Sequence, residues 1–320
     1  MTNHLSQRRA ALQPRKHNRA VPNTPALAPI LALVVNAFVW GTSWWPFRLL
    51  QASGLHPLWA TLFVYLLAVA AIAVLRPAAF RQLAATPALW VLVAASGFTN
   101  AAFNWGVVIG DVVRVVLLFY LMPVWAVLLA RLLLHEPLTR AAAVRIALAL
   151  AGAVIVLWPP GRPWGWSAFP VPQTLPDWLG VIGGFSFALN NVMLRREAAR
   201  PAEGRALAMF AGGALVAGTL ATTLAVGGRV PWPPVPAPGW LAIALVLAVL
   251  FLASNLTLQF GAARLPANVT SVVMLCEVLF ASVSALALGG GRLSAPLATG
   301  GALIVGAAVL AASRRSRPAH

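Results

Sequence analysis

The feature that most constrains this chain is a series of apolar stretches, each of about 20 residues, the length at which an α-helix crosses the hydrocarbon core of a membrane. Of the 320 residues, 60% are hydrophobic and only 9% are charged. A water-soluble domain carries roughly a quarter of its residues as charged side chains, so the sequence predicts an all-α membrane protein. The ten predicted spans are residues 28–50, 57–75, 88–109, 112–133, 141–158, 178–195, 206–226, 239–260, 267–288 and 297–312.

Proline and glycine are concentrated in the connections between these spans, as expected of loops. The longest such connection follows the fifth span and divides the spans into two sets of five. We therefore predict five segments along the chain: a basic cytoplasmic tail (1–27), a first unit (28–158), a Pro-rich outer loop (159–176), a second unit (177–312) and a second basic cytoplasmic tail (313–320).

The basic residues indicate how the spans are oriented. If the N-terminus lies in the cytoplasm, only five of the 23 Lys and Arg residues fall on the outer side, namely Arg48, Arg114, Arg162, Arg229 and Arg292. Because Lys and Arg favour cytoplasmic flanks, this distribution predicts an inner-membrane protein with ten spans and both termini in the cytoplasm. The net charge of +17 then reflects orientation and contact with the lipid bilayer, and we predict no nucleic-acid partner.

An internal repeat relates the two units. A shift of 155 residues aligns Asn100 with Asn255 and Asn104 with Gln259. Polar matches of this kind are not expected by chance inside apolar spans. Each unit holds five spans, an odd number, so the second unit must enter the membrane inverted. Inverted repeats are typical of secondary transporters, whose substrate site lies near the midplane between the halves.

Three motifs lie in or next to the first, fourth and ninth predicted spans: Val39-Trp40-Gly41-Thr42-Ser43 with Arg48, then Leu121-Met122-Pro123-Val124 with Leu134-His135-Glu136-Pro137-Leu138-Thr139, and finally Leu275-Cys276-Glu277-Val278-Leu279. Together they resemble the EamA-type ten-helix exporters of the drug/metabolite transporter superfamily. The resemblance covers about residues 28–312. It implies a fold of two five-helix inverted repeats and the export of amino acids or similar small metabolites.

Glu277 is the clearest candidate for transport chemistry. It lies near the middle of the ninth predicted span, and the repeat places Met122 at the equivalent position. An ionisable side chain inside a membrane is a functional candidate by default, and burial favours a neutral carboxyl group unless a cation or donors compensate. We predict that Glu277 couples protons or balances the charge of a substrate amine. The alternative is a protonated carboxyl group hydrogen-bonded to a neighbouring helix.

Amide and aromatic side chains supply the remaining candidates for a substrate site. Amide groups can both donate and accept hydrogen bonds, which suits a polar or zwitterionic solute, and mid-span aromatic rings suit an apolar or aromatic side chain. The alternative for each amide is an interhelical hydrogen bond, worth about 0.6 kcal/mol in lipid. The candidates are Asn100, Asn255, Asn104, Gln259, Asn190, Trp40 and Tyr120.

Asp111 and Arg114 lie at positions i and i+3 where the fourth span begins, and we consider them a candidate outer gate. The alternative is a local ion pair at the end of a helix. A small-xxx-small pair, Ala302 and Gly306, offers a face for a homodimer.

The sequence lacks the residues that an enzyme of this size would need. Its five histidines lie in tails or loops, without metal-ligand spacing. We therefore predict a transporter of a small-molecule substrate with no cofactor or metal. Two alternatives to metabolite export remain open, a transporter of amphiphilic drugs or lipids and an uncoupled facilitator of the same fold.

Overall fold

The structure is a computed structural model that describes residues 27–135, 140–158, 171–197, 199–262, 273–274 and 276–312. Regular structure in these ranges is entirely helical, which confirms the prediction of an all-α protein. The helices are α1 (Leu27–Thr42), α2 (Trp44–Ala52), α3 (Pro57–Leu75), α4 (Ala78–Ala84), α5 (Pro87–Ile109), α6 (Val112–Phe119), α7 (Met122–Leu134), α8 (Arg140–Leu157), α9 (Leu175–Arg196), α10 (Ala202–Val226), α11 (Pro238–Ala262), α12 (Cys276–Ala287) and α13 (Ala295–Ala312).

Several of these helices are long and apolar enough to cross a membrane. In the described part of the chain six helical stretches meet that condition: Leu27–Ala52, Pro57–Leu75, Pro87–Ile109, Val112–Leu133, Ala202–Val226 and Pro238–Leu258. Three shorter apolar helices accompany them, at Ile146–Val156, Cys276–Ala287 and Ala295–Gly306. The chain is therefore a multi-pass membrane protein.

Two predicted spans are each divided into two helices. The first is interrupted at Ser43, between α1 and α2, and the fourth at residues 120–121, between α6 and α7. Proline lacks the N–H group that would bond to the carbonyl four residues earlier. Pro46 and Pro123 lie just after the two interruptions, so each explains why the preceding helix ends where it does.

Helix α4 was not predicted. It is a seven-residue helix between the second and third predicted spans, and it is too short to cross a membrane. It ends just before Thr86, and Pro87 opens α5. A residue that precedes proline is disfavoured in the helical conformation, so this sequence ends α4 and starts a new helix.

The helix contacts repeat when the two halves are exchanged. Helix α5 packs against α9 and α10, and its counterpart α11 packs against α1 and α3. In the same way α6 and α7 pack against α9, while α12 packs against α1. The contacts between α3 and α10 and between α8 and α13 join counterparts directly. The shift of 155 residues also carries the bounds of α8 onto those of α13.

Glycine allows the closest of these contacts. A Cβ atom on Gly152 would lie 2.5 Å from the carbonyl oxygen of Gly300, and one on Gly300 would lie 2.6 Å from that of Gly152. In α5, a Cβ atom on Gly97 would overlap the carbonyl group of Gly212 in α10. Small residues at helix contacts are the usual means of close association in lipid, so these glycines fix how the halves meet.

The bundle has two ends with different polar residues. One end, here named the Arg114 end, holds the starts of α3, α6 and α9 together with the ends of α2, α5 and α8. There Arg114 in α6 bonds to Val156 at the end of α8 and to Asp177 at the start of α9. Arg48 in α2 bonds to Gly110 at the end of α5. The opposite end, here named the Arg200 end, holds the end of α9 and the start of α10.

Candidate functional site

A continuous row of six aromatic rings crosses the interior between helices of both halves. Neighbouring rings along this aromatic row have centroids between 4.7 and 6.3 Å apart. The rings are, in order, Tyr65, Phe251, Trp40, Phe103, Phe119 and Tyr120. Trp40 and Phe251 stack nearly parallel, with an angle of 11° between their planes. The row contains two of the predicted residues, Trp40 and Tyr120, which are separated in it by Phe103 and Phe119.

A network of amide and hydroxyl groups lies at the Tyr65 end of the aromatic row. The Tyr65 hydroxyl donates to Asn100 Oδ1 over 2.6 Å. Asn100 Nδ2 donates to the Ser96 carbonyl over 2.7 Å, and Ser96 Oγ donates to the carbonyl of Met209 in α10. Both polar atoms of the Asn100 side chain therefore bond within the protein, and the network connects α3, α5 and α10.

The other predicted amides surround this network. Asn104 is fully buried one turn from Asn100, and its Nδ2 donates to Thr61 Oγ1 over 3.1 Å. Asn255 lies on α11 with its Nδ2 4.0 Å from the sulfur of Met209. The side chain of Gln259 lies outside the described part of the structure. Thus three of the four repeat-related amides converge where α3, α5, α10 and α11 meet.

Glu277 lies at the other end of the aromatic row. Its side chain is buried in the first turn of α12, and the Tyr120 hydroxyl lies 3.4 Å from both Glu277 Oε2 and the carbonyl oxygen of Met274. Helix α1 passes so close that a Cβ atom on Gly41 would lie 2.7 Å from the Glu277 carbonyl oxygen. The carboxyl group is thus held between helices of the two halves, within hydrogen-bond distance of the Tyr120 phenol.

Asn190 lies on α9, one turn from Phe187, whose ring is 5.3 Å from that of Phe119 in the aromatic row. The residue is 2% exposed, and its Oδ1 has no hydrogen-bond partner among the described residues. A buried acceptor without a partner costs about 1–3 kcal/mol. Asn190 is therefore placed as a substrate-contacting amide would be.

Asn36 is a buried amide that the sequence did not single out. Its Nδ2 donates to the carbonyl and the hydroxyl oxygen of Ser254, over 2.9 and 2.6 Å, and joins α1 to α11. The repeat carried a signal for it, because the shift of 155 residues places Asn36 opposite Asn191. Asn36 is also the single amide residue of the apolar helix α1, which indicates a contact with another helix.

At the Arg114 end, the two predicted gate residues have different partners. Asp111 caps α6 by accepting the backbone N–H of Arg114 at Oδ1 and that of Arg292 at Oδ2, each over 2.9 Å. The Arg114 guanidinium group bonds to Asp177 instead, with Nε 2.6 Å from Oδ1 and a second nitrogen 3.1 Å from Oδ2. Asp177 was missed, although it is one of only 6 acidic residues in the chain.

Arg48 lies at the same end of the bundle and bonds to three carbonyl groups on two other backbone segments. One of its guanidinium nitrogens is 2.8 Å from the Gly110 carbonyl oxygen and 3.3 and 3.4 Å from those of Val107 and Gly290. The guanidinium group also lies 4.9 Å from the ring centroid of Trp44. Arg48 thus connects the ends of α2 and α5 with the loop between α12 and α13.

Among the described residues, His, Cys, Asp and Glu side chains form no group of three or more that could hold a metal ion. In the described part of the chain, charged and amide groups of the interior instead join helices through hydrogen bonds and through the Arg114–Asp177 salt bridge. The arrangement places amide, hydroxyl and carboxyl groups next to aromatic surface in the interior of the bundle.

Comparison with known proteins finds a family match for the first part of the chain. Residues 27–158 match the EamA-like transporter family. No curated protein matches the chain significantly. A crystal structure of another protein superposes with a TM-score of 0.54 at 19% sequence identity, covering 89% of this chain and 96% of that chain. At this identity the superposition is evidence about the fold alone.

Apolar helices packed around buried polar groups define a multi-pass membrane protein. Over residues 27–158 the family match confirms the resemblance found in the sequence motifs. Residues 27–158 thus resemble the EamA-like transporter family, which belongs to the drug/metabolite transporter superfamily.

Proposed function

We propose that this protein exports amino acids or related small metabolites across the inner membrane by alternating access. The proposal includes ten spans, arranged as inverted repeats over residues 28–158 and 177–312, with both termini in the cytoplasm. The exchange symmetry of the helix contacts supports the repeats. The exposed arginines Arg196 and Arg200 support a cytoplasmic position for the Arg200 end, since basic residues favour that side.

The observation that carries the proposal is the pairing of Glu277 with Tyr120 at one end of the aromatic row. The two residues belong to different halves and are both buried. A site between inverted repeats is exposed to each side in turn when the halves rock against each other. Aromatic surface next to a carboxyl group and amides offers contacts for the side chain, the amine and the carboxylate of an amino acid.

We infer further that Glu277 couples export to protons. The Tyr120 hydroxyl can donate a hydrogen bond to the Glu277 carboxylate, and no arginine or lysine contacts Glu277 among the described residues. A buried carboxylate is stabilised by a positive charge, which either a proton or a substrate ammonium group can supply. Glu277 can therefore release a proton when the amine binds and take one up when the amine leaves.

Transport into inside-out proteoliposomes tests this function directly. Labelled amino acids are offered with and without an imposed proton gradient, and the wild-type protein is expected to accumulate a substrate only with the gradient. Glu277→Gln keeps the shape of the side chain but cannot ionise, so uphill accumulation and its pH dependence should both be lost.

Glu203→Gln provides the matched control, because Glu203 lies in the first turn of α10 and away from the aromatic row. It should transport as the wild type does. If Glu277→Gln retained gradient-driven accumulation with an unchanged pH profile, the coupling role of Glu277 would be wrong. Transport that ignores the gradient in the wild type would instead identify an uncoupled facilitator.

A further inference from the structure

The salt bridge between Arg114 and Asp177 connects the two halves of the chain at the Arg114 end. Arg114 belongs to α6 and Asp177 to the first turn of α9. The contact is bidentate, with nitrogen–oxygen distances of 2.6 and 3.1 Å. A third guanidinium nitrogen donates to the Val156 carbonyl at the end of α8. One side chain therefore joins three helices.

Asp177 is held firmly in this position. Its side chain is 1% exposed, against 31% for Arg114. Its Oδ2 also lies 3.3 and 3.4 Å from the backbone nitrogens of Gln173 and Thr174, so the carboxylate is fixed to the start of α9. Arg114 can move into solvent more readily than Asp177 can, because its side chain is partly exposed already.

The salt bridge lies directly over the interface between α6 and α9. Leu118, one turn beyond Arg114, is fully buried there, and a Cβ atom on Gly180 would lie 3.0 Å from the Leu118 Cβ. The same α6 leads to Phe119 and Tyr120 of the aromatic row. Separation of α6 from α9 would therefore open a path from the Arg114 end toward Glu277.

A stabilising role alone accounts poorly for this contact. Buried ion pairs add little net stability, since desolvation offsets the attraction between the charges. A contact that closes one state of a transporter has a different requirement, namely that it form and break as the halves move. An ion pair between halves meets this requirement, because its free guanidinium group can be solvated when the contact opens.

We propose that the Arg114–Asp177 salt bridge closes this end of the transporter and breaks each time the transporter opens to that side. The inference rests on the proposed alternating-access function. It assigns Asp177, rather than Asp111, as the partner of Arg114 in the gate. Asp111 remains the cap that fixes the start of α6 in both states.

A labelling experiment tests the opening without requiring a known substrate. The background is the full-length Cys276→Ser protein, which contains no cysteine, and Leu118→Cys introduces one buried thiol at the α6–α9 interface. The probe is a membrane-impermeant maleimide. Asp177→Asn removes the charge with little change in shape, and it should raise the labelling rate by about fivefold as the equilibrium shifts toward the open state.

Glu197→Gln is the matched control, because Glu197 pairs with Arg200 at the opposite end. It should leave the labelling rate of Leu118→Cys unchanged. Equal rates for the wild-type and Asp177→Asn backgrounds would overturn the proposal. Circular dichroism and thermal unfolding of both variants separate opening from unfolding. If Asp177→Asn matches Glu197→Gln in both measurements, its faster labelling reports opening; faster labelling that appears only together with a loss of helix or of thermal stability would overturn the proposal.

A crosslinking experiment distinguishes a gate from a permanent contact. Arg114→Cys and Asp177→Cys are combined in the Cys276→Ser background and joined by a short, reducible thiol-to-thiol crosslinker. Transport in proteoliposomes should stop on crosslinking and return on reduction. Wild-type rates in the crosslinked protein would show that this end need not open, and the proposal would be wrong.

The two experiments also separate this proposal from the proposed function. If the wild-type protein transported none of the amino acids offered, the substrate class would be wrong. The fivefold increase in labelling for Asp177→Asn would still support the gate in that case.

Discussion

The ion pairs of the described residues differ between the two ends of the bundle. At the Arg114 end, Arg48 and Arg114 bond to groups on other helices, including Asp177 and several backbone carbonyls. At the Arg200 end, the ion pairs among the described residues join Glu197 to Arg196 and Arg200, within five residues of one another. The structure thus corresponds to a state in which the Arg114 end is fastened across helices.

The acidic residues of the Arg114 end bond to other segments of the chain. The chain has 6 acidic residues, and two of them, Asp111 and Asp177, lie at the Arg114 end with hydrogen bonds to other segments. Exposed ion pairs within one segment contribute about 0–1 kcal/mol, whereas hydrogen bonds from a charged side chain to backbone carbonyls of other segments, such as those of Arg48, contribute about 1.5–3 kcal/mol. Substitutions at the two ends should therefore differ in their effect on stability.

The largest effect is expected for Arg48→Ala. It removes the donor to the carbonyls of Val107, Gly110 and Gly290 and the contact with Trp44. We expect the free energy of unfolding to fall by about 3 kcal/mol, since buried carbonyl groups lose a charged partner. Thermal unfolding of the purified protein in detergent measures this loss. A change below about 1 kcal/mol would mean that the Arg114 end is not fastened by this residue.

A smaller, pH-dependent effect is expected at His56, which caps α3 by accepting the backbone N–H of Leu58 at Nδ1. Burial lowers the pKa of His56 below its ordinary value of 6.5. The neutral ring is therefore favoured by folding, and the stability it contributes is present above pH 6.5 and decreases as the pH falls through the folded-state pKa. We expect protonation to cost about 1 kcal/mol, the usual value of a lost N-cap.

Unfolding curves at pH 7 and pH 5 check this effect, with His56→Asn as the control. Asparagine can cap the helix but does not titrate in this range. The wild-type protein should lose more stability on acidification than the variant does. Equal losses would show that the His56 cap does not depend on protonation.

The smallest effect is expected for Arg200→Ala at the opposite end. Its partner Glu197 lies three residues away and the Arg200 side chain is 51% exposed. We expect a change in the free energy of unfolding within about 0.5 kcal/mol, as for most exposed ion pairs. A loss as large as that of Arg48→Ala, measured in the same detergent, would remove the contrast between the two ends.

Much of the fold could be predicted because a membrane restricts the choice of structure. The predicted second span has the bounds of α3, and the predicted third, eighth and tenth spans differ from α5, α11 and α13 by only one or two residues. Every backbone polar group in lipid must bond within its own segment, so hydropathy and length fix the helices. The interruptions at residues 43 and 120–121 are caused by Pro46 and Pro123. Hydropathy does not predict these interruptions, because each span as a whole is long and apolar enough to cross a membrane.

The candidate site could be predicted only as a set of residues. Trp40, Asn100, Tyr120 and Glu277 stood out because polar and aromatic groups are costly or conspicuous inside apolar spans. Their partners did not, since hydrogen bonds such as Tyr65 to Asn100 join different helices. Asp177 was missed for the same reason: its partner Arg114 is distant in sequence.

The sequence by itself determined the membrane, the helices, the repeat and the family resemblance, because these depend on composition and on local periodicity. Only the tertiary structure decided which side chains meet. It placed the aromatic row between the halves, paired Tyr120 with Glu277 and gave Arg114 to Asp177 rather than to Asp111. Such pairings depend on the packing of helices far apart in the chain, where small residues such as Gly41 and Gly180 permit close approach.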